Sequence, residues 1–351
     1  MRIVQRAPSL VERKHVARHL LRWFDANKRD LPWRRTKDPY RIWLAEIMLQ
    51  QTRVPTAIPY YRRFLRAFPT VRKLARARLD SVLRLWAGLG YYSRARNLHA
   101  AAKRIVREHD GCFPSELDAA LALPGIGPYT ARAILSIAYS KPVAVVDGNV
   151  ARVLVRLFNL RGADPNDRTA LQPVADTLVD ARRPGDFNQA LMELGSTVCL
   201  PRTPRCTTCP LEKLCAARQA GVERRLGLRR AQRPRPTTTL SVLVARRNGR
   251  VLLVREPAAA GGLFSGLWHF PYSTGSAKKL AEQVGAKGLQ PVGIIEHEMT
   301  ARYLVLHVYE ASVNGAAALP GGRWVRPEQI PALGVGAAIR KIAVAVEAGI
   351  E

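Results

Sequence analysis

Long apolar runs are missing from this chain. Nowhere among its 351 residues do 18 successive apolar side chains occur, so no membrane-spanning helix is expected. The stretch from Met1 to Leu20 holds no unbroken apolar core ahead of a small-residue cleavage site. It does not read as a secretory signal. Cysteine is scarce: there are five, four of them between 199 and 215, with Cys112 alone. An odd count with one tight cluster argues against a secreted disulfide framework and for a metal centre in a reducing compartment. Cys112 reads as a plain small residue near a turn. Acidic residues are few as well, 27 Asp and Glu against 56 Lys and Arg, a formal charge of +29. Such an excess repels itself unless a polyanion is near. Nucleic acid is therefore the first partner expected, and an anionic membrane surface the second. No internal repeat is present.

Hydrophobic residues make up 47% of the chain, enough for packed cores and too many for a disordered polymer. A single core rarely grows beyond about 250 to 300 residues, so two domains are expected. Residues 9 to about 225 read mostly as helices. Val16, Leu20 and Phe24 recur at spacings of four, one face of a helix over 10–27. Pro32 breaks it by disfavouring helix at Leu31. A second helix is expected over 41–52, limited by Pro55. Further amphipathic segments fall near 70–77, 80–87, 93–108, 116–122, 128–139, 150–158, 168–181 and 186–195, with an extended apolar run from Pro142 to Val146. Residues 222–237 are rich in Arg and Pro and read as an extended linker. After it the period changes. Thr239–Arg246 and Arg250–Arg255 alternate around Asn248-Gly249, a β-hairpin signal. Tyr303–Glu310 reads as a strand, and 276–285 and 334–348 as helices. The expected plan is a helical domain over 1–221, the linker, and an α+β domain over 238–351.

Three motifs carry chemistry. Leu123-Pro124-Gly125-Ile126-Gly127-Pro128-Tyr129-Thr130 sits between two helical segments, within about 115–140. Gly125 and Gly127 allow a sharp turn that exposes backbone N–H groups, and Pro128 suits the first turn of the next helix. Such a terminus accepts an anion, here a DNA phosphate. The second motif is Cys199-x6-Cys206-x2-Cys209-x5-Cys215. Four thiolates this close can surround one metal centre. Zinc usually appears with paired CxxC knuckles, and only one CxxC is present. The spacing suits a [4Fe–4S] cube better, with zinc as the alternative. Arg202 and Arg205 lie inside the loop. The third is a pair of acids. Glu46 has apolar neighbours one helical turn away, which favours its protonated form and a general-acid role. Asp147, in Asp147-Gly148-Asn149, can cap the following helix or face a cationic reacting centre. Trp33, Gln50, Gln51, Tyr91 and Tyr92 supply planar groups that could fill the gap left when a base leaves the stack.

The glycine hairpin, the Val146–Val150 string and the four-cysteine loop resemble the endonuclease III superfamily of helix-hairpin-helix DNA glycosylases. Within it, Ala45–Thr52 and Gly88–Arg94 resemble the adenine glycosylases. The likeness runs from about 16 to 222 and continues more weakly beyond, where Gly266–Pro271 echoes a family signature. It implies a mostly α, helix-hairpin-helix glycosylase fold with one [4Fe–4S] loop, followed by a smaller α+β Nudix-like domain. It also implies a monomeric base-excision enzyme, cytoplasmic and associated with the bacterial nucleoid, with no membrane partner. The substrate would be duplex DNA holding A:8-oxoguanine or A:G mispairs. By resemblance, Glu46 would protonate the flipped adenine, Asp147 would stabilise the oxocarbenium ion, and Asn149 would hold that aspartate or a water. Tyr129 stands where lyase relatives carry a lysine, implying a monofunctional enzyme that leaves an abasic site. Arg29, Leu31, Trp33, Arg34, Leu49 and Gln189 would surround the adenine. Gln51 and Tyr91 would insert into the duplex, while Thr52 and Leu89 would touch the opposing base. Met299-Thr300-Ala301 falls where the family has Phe-Ser-His, so Thr300 keeps only a hydroxyl. The helix around Lys279–Gly285 carries Glu282 alone where hydrolysing Nudix enzymes need several carboxylates for Mg²⁺, which implies binding without hydrolysis. The competing readings are an endonuclease III-like lyase, a catalytically idle lesion binder and a nucleotide hydrolase. Tyr129, the two acids and the missing glutamates respectively disfavour them.

Overall fold

The computed structural model describes residues 9–228, 234–257, 262–299, 302–314 and 319–348. Its packing divides the chain into two units, Met1–Arg76 with Asn97–Ala231, and Ala77–Arg96 with Gln232–Glu351. Residues 77–96, which read by sequence as part of the helical region, group with the C-terminal unit.

The first unit opens with α1 (Leu10–Asn27). Ser9 and Glu12 form a reciprocal capping box at its start, and Val16, Leu20 and Phe24 are buried. Asp38 caps α2 (Pro39–Leu49), whose residues are buried from Tyr40 to Met48 save Arg41. A helix apolar nearly all round belongs in a core, and that is where Glu46 sits. The helix is shorter than the 41–52 reading. It ends at Leu49, and Gln51 turns through φ +57°.

Next come α3 (Val54–Ala67) and α4 (Val71–Arg76). Sequence reading missed α3, taking Pro55 as a stop. Pro55 instead occupies its first turn, where a missing N–H costs nothing, and Pro59 forfeits one internal bond. α5 (Leu79–Trp86), α6 (Tyr92–Glu108) and α7 (Leu117–Leu121) lead to the glycine hairpin and α8 (Pro128–Tyr139). A segment in no helix or strand, residues 141–147, then enters α9 (Gly148–Leu157), followed by α10 (Arg168–Leu178), α11 (Pro184–Thr197) and the short α12 (Ala216–Gln219). α11 packs on α1, α8 and α9 around Leu154, Phe187, Leu191 and Leu194.

The second unit holds a mixed sheet of β1 (Thr237–Arg247), β2 (Arg250–Arg255), β3 (Trp268–His269), β4 (Tyr272–Ser273), β5 (Ala286–Glu298), β6 (Tyr303–Val313) and β7 (Gly322–Val325). The spatial order is β3-β2-β1-β6-β5, with β4 beside β1 and β7 beside β2. β1 runs parallel to β6 and antiparallel to β2. Alternate residues of β1 face opposite layers. Leu240, Val242 and Val244 pack under α14 (Ala337–Ala348), and Leu243 and Ala245 under α13 (Ala277–Val284). β5 was not legible in the sequence, because Gly288, Pro291 and Gly293 interrupt its period and coincide with two register shifts against β6. No described helix is long and apolar enough to cross a membrane.

Candidate active site

Glu46 projects from the middle of α2 and is only 7% exposed. Burial pushes its carboxyl up to about 7. A hydrogen bond from Tyr129 and the charge of Arg34 pull it down, and the charge of Asp147 pushes it further up. Burial is the larger influence, and it favours the protonated form. Tyr129 stands in the first turn of α8. Burial and the two nearby carboxylates hold its phenol well above its usual value, so it is a neutral donor. Its hydroxyl also lies 3.3 Å from Met192 Sδ.

Of the two roles that the sequence left open for Asp147, the helix cap is present, and the same side chain lines a cavity. Its Oδ1 caps α9, accepting from the backbone N–H of Asn149 at 2.8 Å and of Val150 at 2.7 Å. Its Oδ2 accepts from Asn149 Nδ2 at 3.0 Å. Glu46, Tyr129, Asp147 and Asn149 share one cavity of about 220 Å³ with Arg29, Leu31, Trp33, Arg34, Leu49 and Gln189. Thr52 lines it too.

Glu193 was missed by sequence reading and organises one wall. Arg29 donates to it from Nε at 2.6 Å and Nη2 at 2.8 Å, and Arg34 Nη2 at 2.9 Å. Burial would raise Glu193, but these bonds override it and hold it below the usual carboxylate range. Arg34 Nε also donates to Gln189 at 3.2 Å. Helical spacing held the signal, since Gln189, Met192, Glu193 and Ser196 recur on one face of α11 and all line the cavity.

Other expected residues lie elsewhere. Gln51 is exposed on the turn after α2 and is not on the cavity wall. Leu89 and Tyr91 line a separate cavity of about 520 Å³ in the second unit, with Met299. Gly88, Gly90 and Tyr91 all have positive φ, and Arg94 Nη2 donates to Leu89 O at 3.2 Å. Thr300 lies outside the described residues. Gly125 adopts φ +76°, and a Cβ there would meet Asn97 Cβ at 2.6 Å. Gly127 opens α8, and no side chain caps that helix.

The four cysteines line one small cavity with Arg156, and none is in a disulfide. Burial and, in addition, the neighbouring thiols push Cys215 up and Cys209 up to about 12. Thiols that oppose one another's ionisation in this way are suited to a cationic centre that would take them as thiolates. Arg156 Nη1 also donates to Cys199 Sγ at 3.3 Å. The donor set fits an iron–sulfur cluster. Among the described residues no group of three or more His, Cys, Asp and Glu side chains is arranged, as it stands, to hold a metal ion.

A protonatable acid and a second carboxylate in one cavity, beside a helix-hairpin-helix and ahead of a Nudix-like sheet, define a class: base-excision DNA glycosylases. Family models agree. The HhH-GPD superfamily base excision DNA repair protein model matches residues 44–172, and a NUDIX domain model matches 241–345. A solved thermostable thymine-DNA glycosylase is 31% identical with a TM-score of 0.56, covering 60% of this chain and 98% of its own. Endonuclease III trapped on DNA, at 20% identity and TM-score 0.53 over 61% of this chain and 99% of its own, shares the fold. The adenine DNA glycosylase of Homo sapiens is 36% identical over 92% of this chain and 72% of its own length. The chain belongs to the adenine DNA glycosylase family.

Proposed function

We propose that this protein flips adenine, mispaired with 8-oxoguanine or guanine, out of duplex DNA and hydrolyses its N-glycosidic bond, leaving an abasic site. The observation that carries the proposal is Glu46, buried and titrating near neutrality in one cavity with Asp147. A protonated carboxyl at pH 7 can deliver a proton to adenine N7, making the base a neutral leaving group. The sugar left behind is oxocarbenium-like, and a carboxylate at Asp147 stabilises it, as paired acids do in glycoside hydrolysis. Asn149 would steady that carboxylate, to which its Nδ2 donates, or hold a water. Tyr129 has no amine, so it forms no Schiff base and the strand stays intact. Arg29, Leu31, Trp33, Arg34, Leu49 and Gln189 enclose the adenine. Gln51 and Tyr91 fill the vacated stack. Gly125 and Gly127 present backbone amides to a phosphate. By the likeness to the family, Thr52, Leu89 and Thr300 would contact the opposing base.

Cys199, Cys206, Cys209 and Cys215 would hold one [4Fe–4S] cluster, which when bound cross-links the 199–215 loop. The protein acts as a monomer on DNA inside the cell.

The test is adenine release from duplexes carrying A opposite 8-oxoguanine, guanine and cytosine. Release is expected in that descending order. No release from any of the three would overturn the proposal.

A further inference from the structure

Residues 142–146 lead into Asp147 outside any helix or strand, and the segment is paired in no sheet of the described residues. Ala144, Val145 and Val146 are buried, and a buried backbone must still find partners for its N–H and C=O groups. Side chains supply them. On one edge Asn188 of α11 is fully buried. Its Oδ1 accepts from Val145 N–H at 3.0 Å, and its Nδ2 donates to Val143 O at 2.9 Å. This is the two-bond pattern a neighbouring strand would make. On the other edge Asp176 of α10 accepts from Ala144 N–H at 3.2 Å, and Gln172 Nε2 donates to Ala144 O at 3.0 Å. Arg132 holds Asp176 at 2.9 Å. α11 touches the same region once more at Gly195, where a Cβ would lie 2.6 Å from Asn149 Cβ.

We propose that Asn188, with Asp176 on the opposite edge, is a positioning residue that sets how far Asp147 reaches into the cavity. The inference rests on the role given to Asp147 above. Asp147 is tied to the first turn of α9 by its own cap, so the path of 143–146 decides where that turn begins. Without a sheet, the path is held by side chains, Asn188 on one edge and Asp176 with Gln172 on the other. Asn188 also precedes Gln189 on α11, so one turn of helix sets both a cavity wall and the approach of the acid.

The test uses the full chain and two inhibitor duplexes, one with a neutral tetrahydrofuran abasic analogue and one with a cationic pyrrolidine analogue. A well-placed Asp147 carboxylate makes the cationic analogue bind tighter. Asn188→Leu keeps the branching and heavy-atom count of the side chain and deletes both bonds. It is expected to remove most of that preference and to lower kcat about 10²-fold, the loss typical of a small misplacement. KM and tetrahydrofuran-duplex affinity should stay unchanged. Asp176→Ala, at the surface, should fall between it and the unsubstituted protein, and decides the matter if Asn188→Leu does not fold. Asp147→Asn is the reference for full loss of preference. If it abolishes the preference while Asp176→Ala and a folded Asn188→Leu retain both preference and kcat, the positioning role is overturned. If Asp147→Asn itself leaves the preference intact, the role of Asp147 falls, and this inference with it.

Discussion

Replacing Glu46 by Gln isolates the proton that the mechanism needs, and it should change stability as well as rate. A glutamate titrates near its usual 4.5 when unfolded, while burial lifts Glu46 to about 7 in the fold. Below 4.5 the carboxyl is neutral in both states and contributes its full share of stability. As pH rises through that window the unfolded chain ionises first, and folding must keep a proton on the group or bury its charge. The folded-state value is raised, so the contribution is lost progressively up to about pH 7. The gap between the two values corresponds to about 3 kcal/mol.

Glu46→Gln has nothing to ionise. It should match the unsubstituted protein in stability at pH 4 and exceed it by about 3 kcal/mol at pH 8, read by urea unfolding at each pH. Activity should move the opposite way. The substitution should abolish adenine release at every pH while leaving duplex affinity intact. In the unsubstituted enzyme, single-turnover excision should fall about tenfold for each pH unit above 7, following the protonated fraction. A rate that stays flat from pH 6 to pH 9, or a stability gain equal at pH 4 and pH 8, would refute the argument that burial keeps Glu46 protonated.

Tyr129→Lys should place an amine beside Asp147 and give strand cleavage through a Schiff base; absence of a borohydride-trapped DNA adduct would count against that geometry. Gly125→Ala forces a side chain into φ +76° and onto Asn97, costing about 1–2 kcal/mol in backbone strain alone. It should weaken binding to matched and mismatched duplexes alike, and unchanged affinity would exclude the hairpin as a phosphate contact. Cys209→Ser should lower iron content and visible absorbance in the purified protein together with thermal stability; full iron occupancy would remove Cys209 from the ligand set.

What the sequence determined was local chemistry. The four-cysteine spacing, the glycine hairpin ahead of Pro128 and the carboxyl at 46 among apolar residues each sit within a short stretch, where spacing alone restricts what the residues can do. Helix periods placed most of the first unit because its helices are amphipathic over several turns. α3 was lost to a local rule, since proline reads as a stop whether it ends a helix or begins one. β5 was lost because glycines, a proline and register shifts erase its alternation.

Only the tertiary structure decided the rest. Glu46 and Asp147 lie about a hundred residues apart, and it is the packing of α2, α8, α9 and α11 that brings them to one cavity and takes solvent from Glu46, lifting its carboxyl toward neutrality. Glu193 gains its meaning only from Arg29 and Arg34 far back in the chain. Asn188 and Asp176 look like ordinary polar helix residues until the backbone of 143–146, which joins no sheet of the described residues, is seen bonded between them. Desolvation and hydrogen-bond satisfaction depend on what surrounds a group on every side, and sequence neighbours supply only part of that surrounding.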